Sequence, residues 1–169
     1  MAELYILRHA HAAIGGAGSD SERPLSEVGR HEAMAVGRHL RRAGVRFDRV
    51  TCSPARRALE TWNAVAALLD HEPAVASDPT IYEGDSDTLI RLVAQCGPEI
   101  EAMLLVGHNP ALHQLAFTLA GTGDAAALDR LVTEYPPGAL AHLRLADGWS
   151  SMGAGVGELV SFVVPRDLG

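Results

Sequence analysis

Three short apolar runs, each followed by polar residues and then by a helical pattern, constrain the fold of this 169-residue chain more than any other feature. The runs are residues 4–7, 50–52 and 103–106. Short apolar runs that alternate with helices and are bounded by turn residues are typical of buried strands in an α/β layer structure. The sequence therefore predicts a three-layer α/β sandwich, with a mostly parallel central sheet flanked by helices.

Helical patterns of apolar residues follow the three runs. Residues 26–42 carry small and apolar side chains on one face at helical spacing and arginines on the other. Ser53 is expected to cap the second helix with Pro54 at its first position, and Asn109 and Pro110 are expected to do the same for the third. The second and third helices should therefore begin directly after their strands.

The rest of the chain adds a further helix and a pair of strands. Residues 85–96 have helical spacing and end at a Gly-Pro pair. Residues 139–145 and 159–164 flank an Asp-Gly turn, so we expect two paired strands that complete one edge of the sheet. Because the length suits one core and the sequence shows no linker, we expect a single domain over residues 1–169.

The charged residues narrow the classes of ligand. A formal net charge of −7 argues against nucleic acid, whose binding needs a clustered basic face. All 14 basic residues are arginine, and the absence of lysine excludes a P-loop ATPase and a pyridoxal-phosphate enzyme, each of which needs one. Arginine instead suits bidentate recognition of phosphate or carboxylate, so we expect an anionic ligand that is held locally.

Signals for membranes and export are missing from the sequence. No stretch approaches the ~18 uninterrupted apolar residues that a membrane span requires. The N-terminus lacks the basic region and the longer apolar segment of a signal peptide. We therefore expect a globular cytoplasmic protein with no membrane partner, while the sequence leaves its oligomeric state open.

Histidines and arginines stand at the three strand-to-helix junctions. Arg8 and His9 follow the first strand, Arg57 lies early in the helix after the second strand, and His108 follows the third. Ligands of open parallel sheets bind beyond the carboxyl ends of the strands, where helix N-termini also offer free N–H groups. These four side chains can therefore converge on one tetrahedral oxyanion.

The segments around these residues resemble the histidine phosphatase superfamily. The sequence LRHA at residues 7–10 is similar to the RHG/RHA signature of that family. SPARRALET at residues 53–61 is similar to its S-x-x-x-R-A-x-x-T segment, and VGH at residues 106–108 to its second-histidine motif. SDSERPLS at residues 19–26, with Gly29 after it, most resembles the small SixA-type phosphohistidine phosphatases.

The resemblance implies a phosphoglycerate mutase-like fold and a phosphatase that uses neither a metal nor a cofactor. It implies that His9 attacks phosphorus as neutral imidazole and is transiently phosphorylated. Arg8, Arg57 and His108 would hold the phosphoryl oxygens, which suits a reaction that needs mainly positioning and charge stabilisation. Arg23, in the SixA-like segment, is a candidate for a further phosphate contact, with a solvated loop arginine as the alternative.

Glu83 is the candidate proton donor, because many members of the family place an acid after the third element. Asp85 and Asp87 are alternatives, although a position at the start of a helix suits both as caps or dipole partners. An alkoxide leaving group needs a general acid, whereas a protonated phosphohistidine ring is already a good leaving group. A phosphohistidine substrate would therefore depend less on Glu83.

The favoured function is hydrolysis of phosphohistidine on a protein, since a short chain with little inserted sequence implies an open, shallow site. Small-molecule phosphomonoesters are the alternative substrates, and a catalytically idle phosphate-binding regulatory module is the alternative of a different class. His9 and His11 lack a third ligand at a recognisable spacing, so we expect no metal site. The expected partner is a phosphorylated protein or a small phosphate ester.

Overall fold

A seven-stranded mixed sheet forms the centre of the computed structural model, which describes residues 1–15 and 18–169. The strands are β1 (Ala2–Arg8), β2 (Arg49–Cys52), β3 (Ala74–Ser77), β4 (Ala102–Gly107), β5 (Ala120–Gly123), β6 (Leu140–Leu145) and β7 (Gly157–Val163). They lie in the order β3-β2-β4-β1-β6-β7-β5. β6 runs antiparallel to β1 and β7, whereas the other neighbouring pairs are parallel.

Helices cover both faces of this sheet. They are α1 (Glu27–Arg42), α2 (Arg56–Ala66), α3 (Thr80–Glu83), α4 (Ser86–Ala94), α5 (Ala111–Leu119) and α6 (Ala125–Thr133), with 3₁₀ turns at Asp20–Glu22 and Pro165–Asp167. The apolar residues of α1 and α2 pack in one buried cluster, and those of α4, α5 and α6 pack in another on the opposite side. The predicted three-layer α/β architecture is confirmed.

The central strands contribute alternate residues to the two apolar clusters. In β1, Leu4 and Ile6 belong to the cluster with α5, whereas Tyr5 and Leu7 belong to the cluster with α1 and α2. A strand that is buried on both faces reads as a continuous apolar run rather than an alternating one. This burial explains why the first and third runs were recognisable as strands in the sequence.

The predicted starts of two helices are wrong by one or two residues. α2 begins at Arg56 with Ala55 as its N-cap, rather than at Pro54 with Ser53 as the cap. The reason is that the Ser53 N–H extends the sheet ladder by donating to a β4 carbonyl. α5 begins at Ala111 after Pro110, since the side chain of Asn109 bonds elsewhere instead of capping the helix.

We expected the two C-terminal strands to complete one edge of the sheet, and this prediction is wrong. β6 pairs with β1 near the middle, and β7 is flanked on its far side by β5. The sequence prediction also missed β3, β5, α3 and α6. β3 and β5 are four-residue strands at the two edges, where short pairing with one neighbour leaves little hydrophobic pattern in the sequence.

Among the described residues, no helix is long and apolar enough to cross a membrane.

Gly29 allows the loop after β1 to cross the first turn of α1. A Cβ at residue 29 would lie 2.0 Å from the carbonyl oxygen of His11. That carbonyl accepts hydrogen bonds from the N–H of Ser26 at 2.9 Å and from its hydroxyl at 3.1 Å. The close approach therefore holds the loop that follows His9 against α1.

We predict that Gly29→Ala lowers the free energy of unfolding by about 1–3 kcal/mol, because the added methyl group collides with backbone that cannot move without breaking these bonds. Urea denaturation measures the change. Gly153→Ala is the matched control, since the nearest atom to an added Cβ there is 3.9 Å away. Equal stabilities for the two variants would contradict the prediction.

Candidate active site

The carboxyl ends of β1, β2 and β4 lie side by side because the sheet ladder continues past each strand. The His9 N–H donates to the carbonyl of Gly107 at 3.0 Å, and the Ser53 N–H donates to the carbonyl of Val106 at 3.0 Å. His108 follows Gly107 directly. Two predicted site residues, His9 and His108, are thereby placed at the same edge of the sheet.

His9 is held as a neutral imidazole. Its side chain is buried, and its Nδ1 lies 2.7 Å from the carbonyl oxygen of Ala10. Because a carbonyl only accepts, Nδ1 carries the proton, and the Nε2 lone pair stays free. Burial lowers the pKa of His9 to about 4, although its bond to Ala10 opposes the shift. The guanidinium groups nearby lower that pKa further; they belong to Arg57, Arg8 and Arg23.

His108 is oriented by Ser53. Its Nε2 lies 2.7 Å from the Ser53 hydroxyl oxygen, which also accepts the Ala55 N–H at 3.2 Å. In the tautomer of the neutral ring that carries its proton on Nδ1, the Ser53 hydroxyl donates to Nε2. Among the described residues, buried Nδ1 has no hydrogen-bond partner. Burial, followed by the positive charge that His9 carries once it is protonated at low pH, lowers the pKa of His108 to about 3. The two ring centroids are 5.1 Å apart.

Arg57 is 7% exposed, and Asp20 holds its guanidinium group. Nη1 donates to the Asp20 carbonyl at 2.8 Å, and Nη2 donates to the Asp20 carboxylate at 3.0 Å. The same carboxylate accepts from the Tyr82 hydroxyl at 2.6 Å and from Arg23 Nη1 at 3.0 Å. These bonds hold the pKa of Asp20 well below its usual range, and the bond from Tyr82 has the largest effect.

Arg8 is anchored at one end of its guanidinium group. Its Nη1 donates to the carbonyl of Tyr135 at 2.9 Å, and Asn109 Nδ2 donates to the same carbonyl at 2.9 Å. Tyr135 is itself fixed, because its buried hydroxyl donates to the Ile6 carbonyl in β1 at 2.7 Å. Within the described part of the chain, the buried Arg8 Nε has no partner. Arg8 thus keeps a free N–H donor in a fixed orientation.

Tyr82 forms a wall of this site that sequence reasoning missed. Its ring meets His108 edge-on, with centroids 5.3 Å apart and an interplanar angle of 84°. The Cζ atom of Arg57 lies 5.8 Å from the centroid of the same ring. Asp20 and Ser53 were in the recognised motifs, but the sequence did not show which side chains they bond. No motif pointed to Tyr82 or Tyr135.

The three candidate proton donors lie apart from these bonds. Glu83 is exposed on α3 beside Tyr82, and its side chain forms no hydrogen bond or ion pair among the described residues. Asp85 caps α4 by accepting from the Thr88 N–H at 2.9 Å, which confirms the capping alternative for Asp85. Asp87 is exposed in the first turn of α4. The assignment of Glu83 as proton donor stays a prediction.

Thr61, the threonine of the motif in α2, links that helix to the residue after His9. Its buried hydroxyl donates to the Arg57 carbonyl at 2.7 Å and accepts the Ala10 N–H at 3.0 Å. The bond fastens the residue after His9 to the helix that carries Arg57. This threonine therefore fixes the position of His9 relative to Arg57.

Metal ligands are not gathered at this site. Across residues 1–15 and 18–169, no group of three or more His, Cys, Asp or Glu side chains could hold a metal ion. His11 bonds Glu32 instead, with Nδ1 at 2.7 Å from the carboxylate. The charge at the site comes from Arg8, Arg23 and Arg57, while Asp20 bonds two of these three. A local excess of positive charge therefore stands in a chain whose net charge is −7.

Comparisons with known proteins agree with this arrangement. A family profile described as Histidine phosphatase superfamily (branch 1) matches residues 4–89. The chain is 34% identical over 162 residues to the uncharacterized protein Rv1276c of Mycobacterium tuberculosis, covering 95% of this chain and 100% of that protein. A structure assigned to phosphohistidine phosphatase SixA of Nakamurella multipartitia gives a TM-score of 0.84 at 27% identity, covering 97% of this chain and 96% of that one. The structure of the protein histidine phosphatase SixA complexed with tungstate gives a TM-score of 0.81 at 25% identity, and the match covers 99% of both chains.

We predict that both active-site imidazoles stay neutral until well below the usual pKa of histidine, about 6.5. In a titration followed by NMR, the midpoint of His9 should lie at about 4 and that of His108 at about 3. A midpoint of His9 near 6.5 would contradict the burial and the cationic surroundings described above.

The lowered pKa values of His9 and His108 also determine how the free energy of unfolding changes with pH. The unfolded chain binds a proton on each histidine near pH 6.5, whereas the folded chain does so only near pH 4 and 3. The contribution of His9 and His108 should therefore lower the free energy of unfolding as the pH falls from about 6.5 to 4. The slope measured over this range should be smaller in a His9→Gln variant, since one of the two groups is removed.

Proposed function

Because the chain belongs to the histidine phosphatase superfamily and is a phosphatase, we propose that it hydrolyses phosphohistidine on a protein through a phosphoenzyme intermediate on His9. We further propose that residues 1–169 form a single histidine phosphatase domain. The observation that carries the nucleophile assignment is the state of His9. Its Nδ1–H is engaged by the Ala10 carbonyl, which leaves Nε2 as a free lone pair beside three guanidinium groups.

The reaction consists of two in-line displacements at phosphorus. In the first, the Nε2 lone pair of His9 attacks phosphorus and the bond from phosphorus to the substrate nitrogen breaks. The substrate ring, protonated on its other nitrogen, leaves with that electron pair as neutral imidazole. In the second, water attacks phosphorus, the bond to Nε2 breaks, and the electron pair returns to His9. The proton lost by water goes to the released phosphate, so that His9 is neutral again at the end.

Arg8, Arg57 and His108 are proposed to hold the phosphoryl oxygens during both steps. Within residues 1–15 and 18–169, the buried Arg8 Nε and His108 Nδ1 have no hydrogen-bond partner, and Arg57 keeps N–H groups that do not bond Asp20. Donors fixed before the reaction stabilise the charge of the transferring group without reorganising. Arg23 is proposed as a further contact, because its charge acts on His9 while one of its nitrogens bonds Asp20.

The choice of phosphohistidine rests on the leaving group. Asp20, the carboxylate nearest to these cations, stays ionised because its pKa is strongly lowered, so it is a poor proton donor. Glu83 is exposed and forms no bond within the described residues that would orient it. A phosphohistidine ring that is already protonated leaves as neutral imidazole without an acid from the enzyme, whereas an alkoxide needs one. Two structures with similar folds at 25–27% identity carry the SixA name, which supports the same substrate class.

Small phosphomonoesters are the second candidate substrates. The observation that favours them is the position of Glu83, next to Tyr82 on the short helix at the wall of the site. From there, the carboxyl group could protonate an alkoxide that leaves along Tyr82. The idle phosphate-binding module is the third alternative, and turnover of any phosphorylated substrate would exclude it.

We predict that His9→Ala abolishes turnover of a phosphohistidine protein and of p-nitrophenyl phosphate, because no lone pair remains to accept the phosphoryl group. The wild-type protein should yield an acid-labile, base-stable phosphoenzyme when it is quenched during turnover. The assay contains EDTA, since the proposed reaction requires no metal ion.

His31→Ala is the matched control for this variant, because His31 is exposed on α1. It should keep the wild-type rate and the phosphoenzyme signal. Full activity of His9→Ala would refute the nucleophile, and a loss of activity in EDTA that one divalent ion restores would refute the metal-free reaction.

Glu83→Gln should separate the two substrate classes. If Glu83 is the proton donor, the variant should slow an alkyl phosphate by roughly 10²–10⁴, with less effect on phosphohistidine and p-nitrophenyl phosphate. The ratio of the three rates is the measurement, since a folding defect lowers all three together. Asp87→Asn is the matched control on the next helix. If Asp87→Asn slows the alkyl phosphate selectively and Glu83→Gln does not, the proton donor is Asp87 and its assignment to Glu83 is wrong.

A further inference from the structure

A surface groove of about 730 Å³ opens beside the candidate active site. Its lining residues come from the 3₁₀ turn and the segment before it, the start of α2, and α3; they are Gly18, Ser21, Glu22, Pro54, Ala55, Arg56, Leu59 and Tyr82. Clefts that bind ligands in proteins measure roughly 300–1,000 Å³. The groove is therefore large enough for a ligand that extends well beyond a phosphoryl group.

Tyr82 is shared by the groove and the phosphoryl site. It lines the groove, its ring meets His108, and its hydroxyl bonds the carboxylate that holds Arg57. The groove also begins next to Ser53, the residue that orients His108, since Pro54 and Ala55 line it. A substrate whose phosphoryl group lies at His9 can thus extend past Tyr82 into the groove.

The walls of the groove are fixed before any substrate binds. Tyr82 is held by Asp20, and the Ala55 N–H is held by the Ser53 hydroxyl at 3.2 Å. Arg56 Nε bonds the carboxylate of Glu60 at 3.0 Å, one turn further along α2. A preformed site loses less entropy when a flexible chain binds to it.

The chemistry of the walls distinguishes a polypeptide from a nucleotide or a bisphosphate. Pro54 and Leu59 offer apolar surface, and the aromatic ring of Tyr82 adjoins them. One acidic and one basic residue, Glu22 and Arg56, cancel in formal charge. A second phosphate group would find no excess of positive charge here, whereas an apolar side chain would be removed from water.

We propose that this groove binds the polypeptide that carries the phosphorylated histidine, with an apolar side chain of the substrate packed against Leu59. The inference rests on the proposed function and adds to it a specificity site outside the phosphoryl pocket. It assigns the choice of substrate to residues that do not touch the reacting atoms. The groove then contributes to kcat/KM for a phosphorylated peptide and not for a substrate that consists of little more than the phosphoryl group.

The test compares two substrates on one set of variants. The first is a histidine peptide phosphorylated with phosphoramidate, made with either leucine or aspartate next to the phosphohistidine; the second is phosphoramidate itself. Ser21→Trp fills the groove from an exposed position, and Leu59→Gln makes its apolar wall polar. Ser151→Trp is the matched control, since Ser151 is exposed in the loop between β6 and β7.

The measured quantity is kcat/KM for the leucine peptide divided by kcat/KM for phosphoramidate. Ser21→Trp should lower this ratio about tenfold, which corresponds to about 1.4 kcal/mol, and Ser151→Trp should leave it unchanged. The wild type should prefer the leucine peptide to the aspartate peptide, and Leu59→Gln should reduce that preference. Circular dichroism spectra show whether each variant is folded.

Three outcomes would overturn the proposal that the groove binds the phosphorylated polypeptide. They are an unchanged ratio in Ser21→Trp, an equal fall in Ser151→Trp, and a wild type that does not distinguish the two peptides. Each of these leaves the proposed reaction standing, because phosphoramidate is still hydrolysed. A wild type that cleaves p-nitrophenyl phosphate but neither phosphoramidate nor the peptides would instead overturn the phosphohistidine substrate, and the groove proposal with it.

Discussion

The hydrogen bonds that extend the sheet past the ends of β1 and β2 are the constraint on which the site depends. Through them the backbone of His9 and of Ser53 is bonded to β4, which leads directly into His108. Parallel neighbours end at the same edge, so these backbone bonds bring together three segments that are distant in sequence. The buried side chains on both faces of these strands then fix that edge, because a change of register would move every apolar residue to the wrong cluster.

A cluster of cations is costly to bury in a folded protein, and Asp20 offsets part of that cost. Arg57 is 7% exposed and gives one N–H of each terminal nitrogen to Asp20. A buried charge needs both a partner and hydrogen bonds, and Asp20 supplies both through its carboxylate and its carbonyl. The remaining donors of Arg57 are left for an anion. The same carboxylate fixes Tyr82, so a single residue couples the phosphoryl pocket to the adjoining groove.

Several residues in the recognised motifs act by shaping the backbone rather than by chemistry. Thr61 ties the residue after His9 to α2, and Gly29 lets the loop at His11 approach α1. Glu60 accepts the Leu25 N–H at 2.9 Å and so holds the SixA-like segment against α2. The loop that follows His9, the proposed nucleophile, is thus held at three points, while the bond of His9 to the Ala10 carbonyl sets its tautomer.

The sequence by itself determined the layers of the fold and the placement of Arg8, His9, Arg57 and His108. Strand burial and strand-end chemistry leave a local pattern, and parallel strands share one edge whatever their order. Only the tertiary structure decided that β6 lies beside β1, that Asp20 bonds Arg57 across 37 residues, and that the Tyr135 carbonyl holds Arg8 across 127. Such contacts depend on the path of the whole chain. No local periodicity encodes them, because each partner alone has the pattern of an ordinary loop or helix residue.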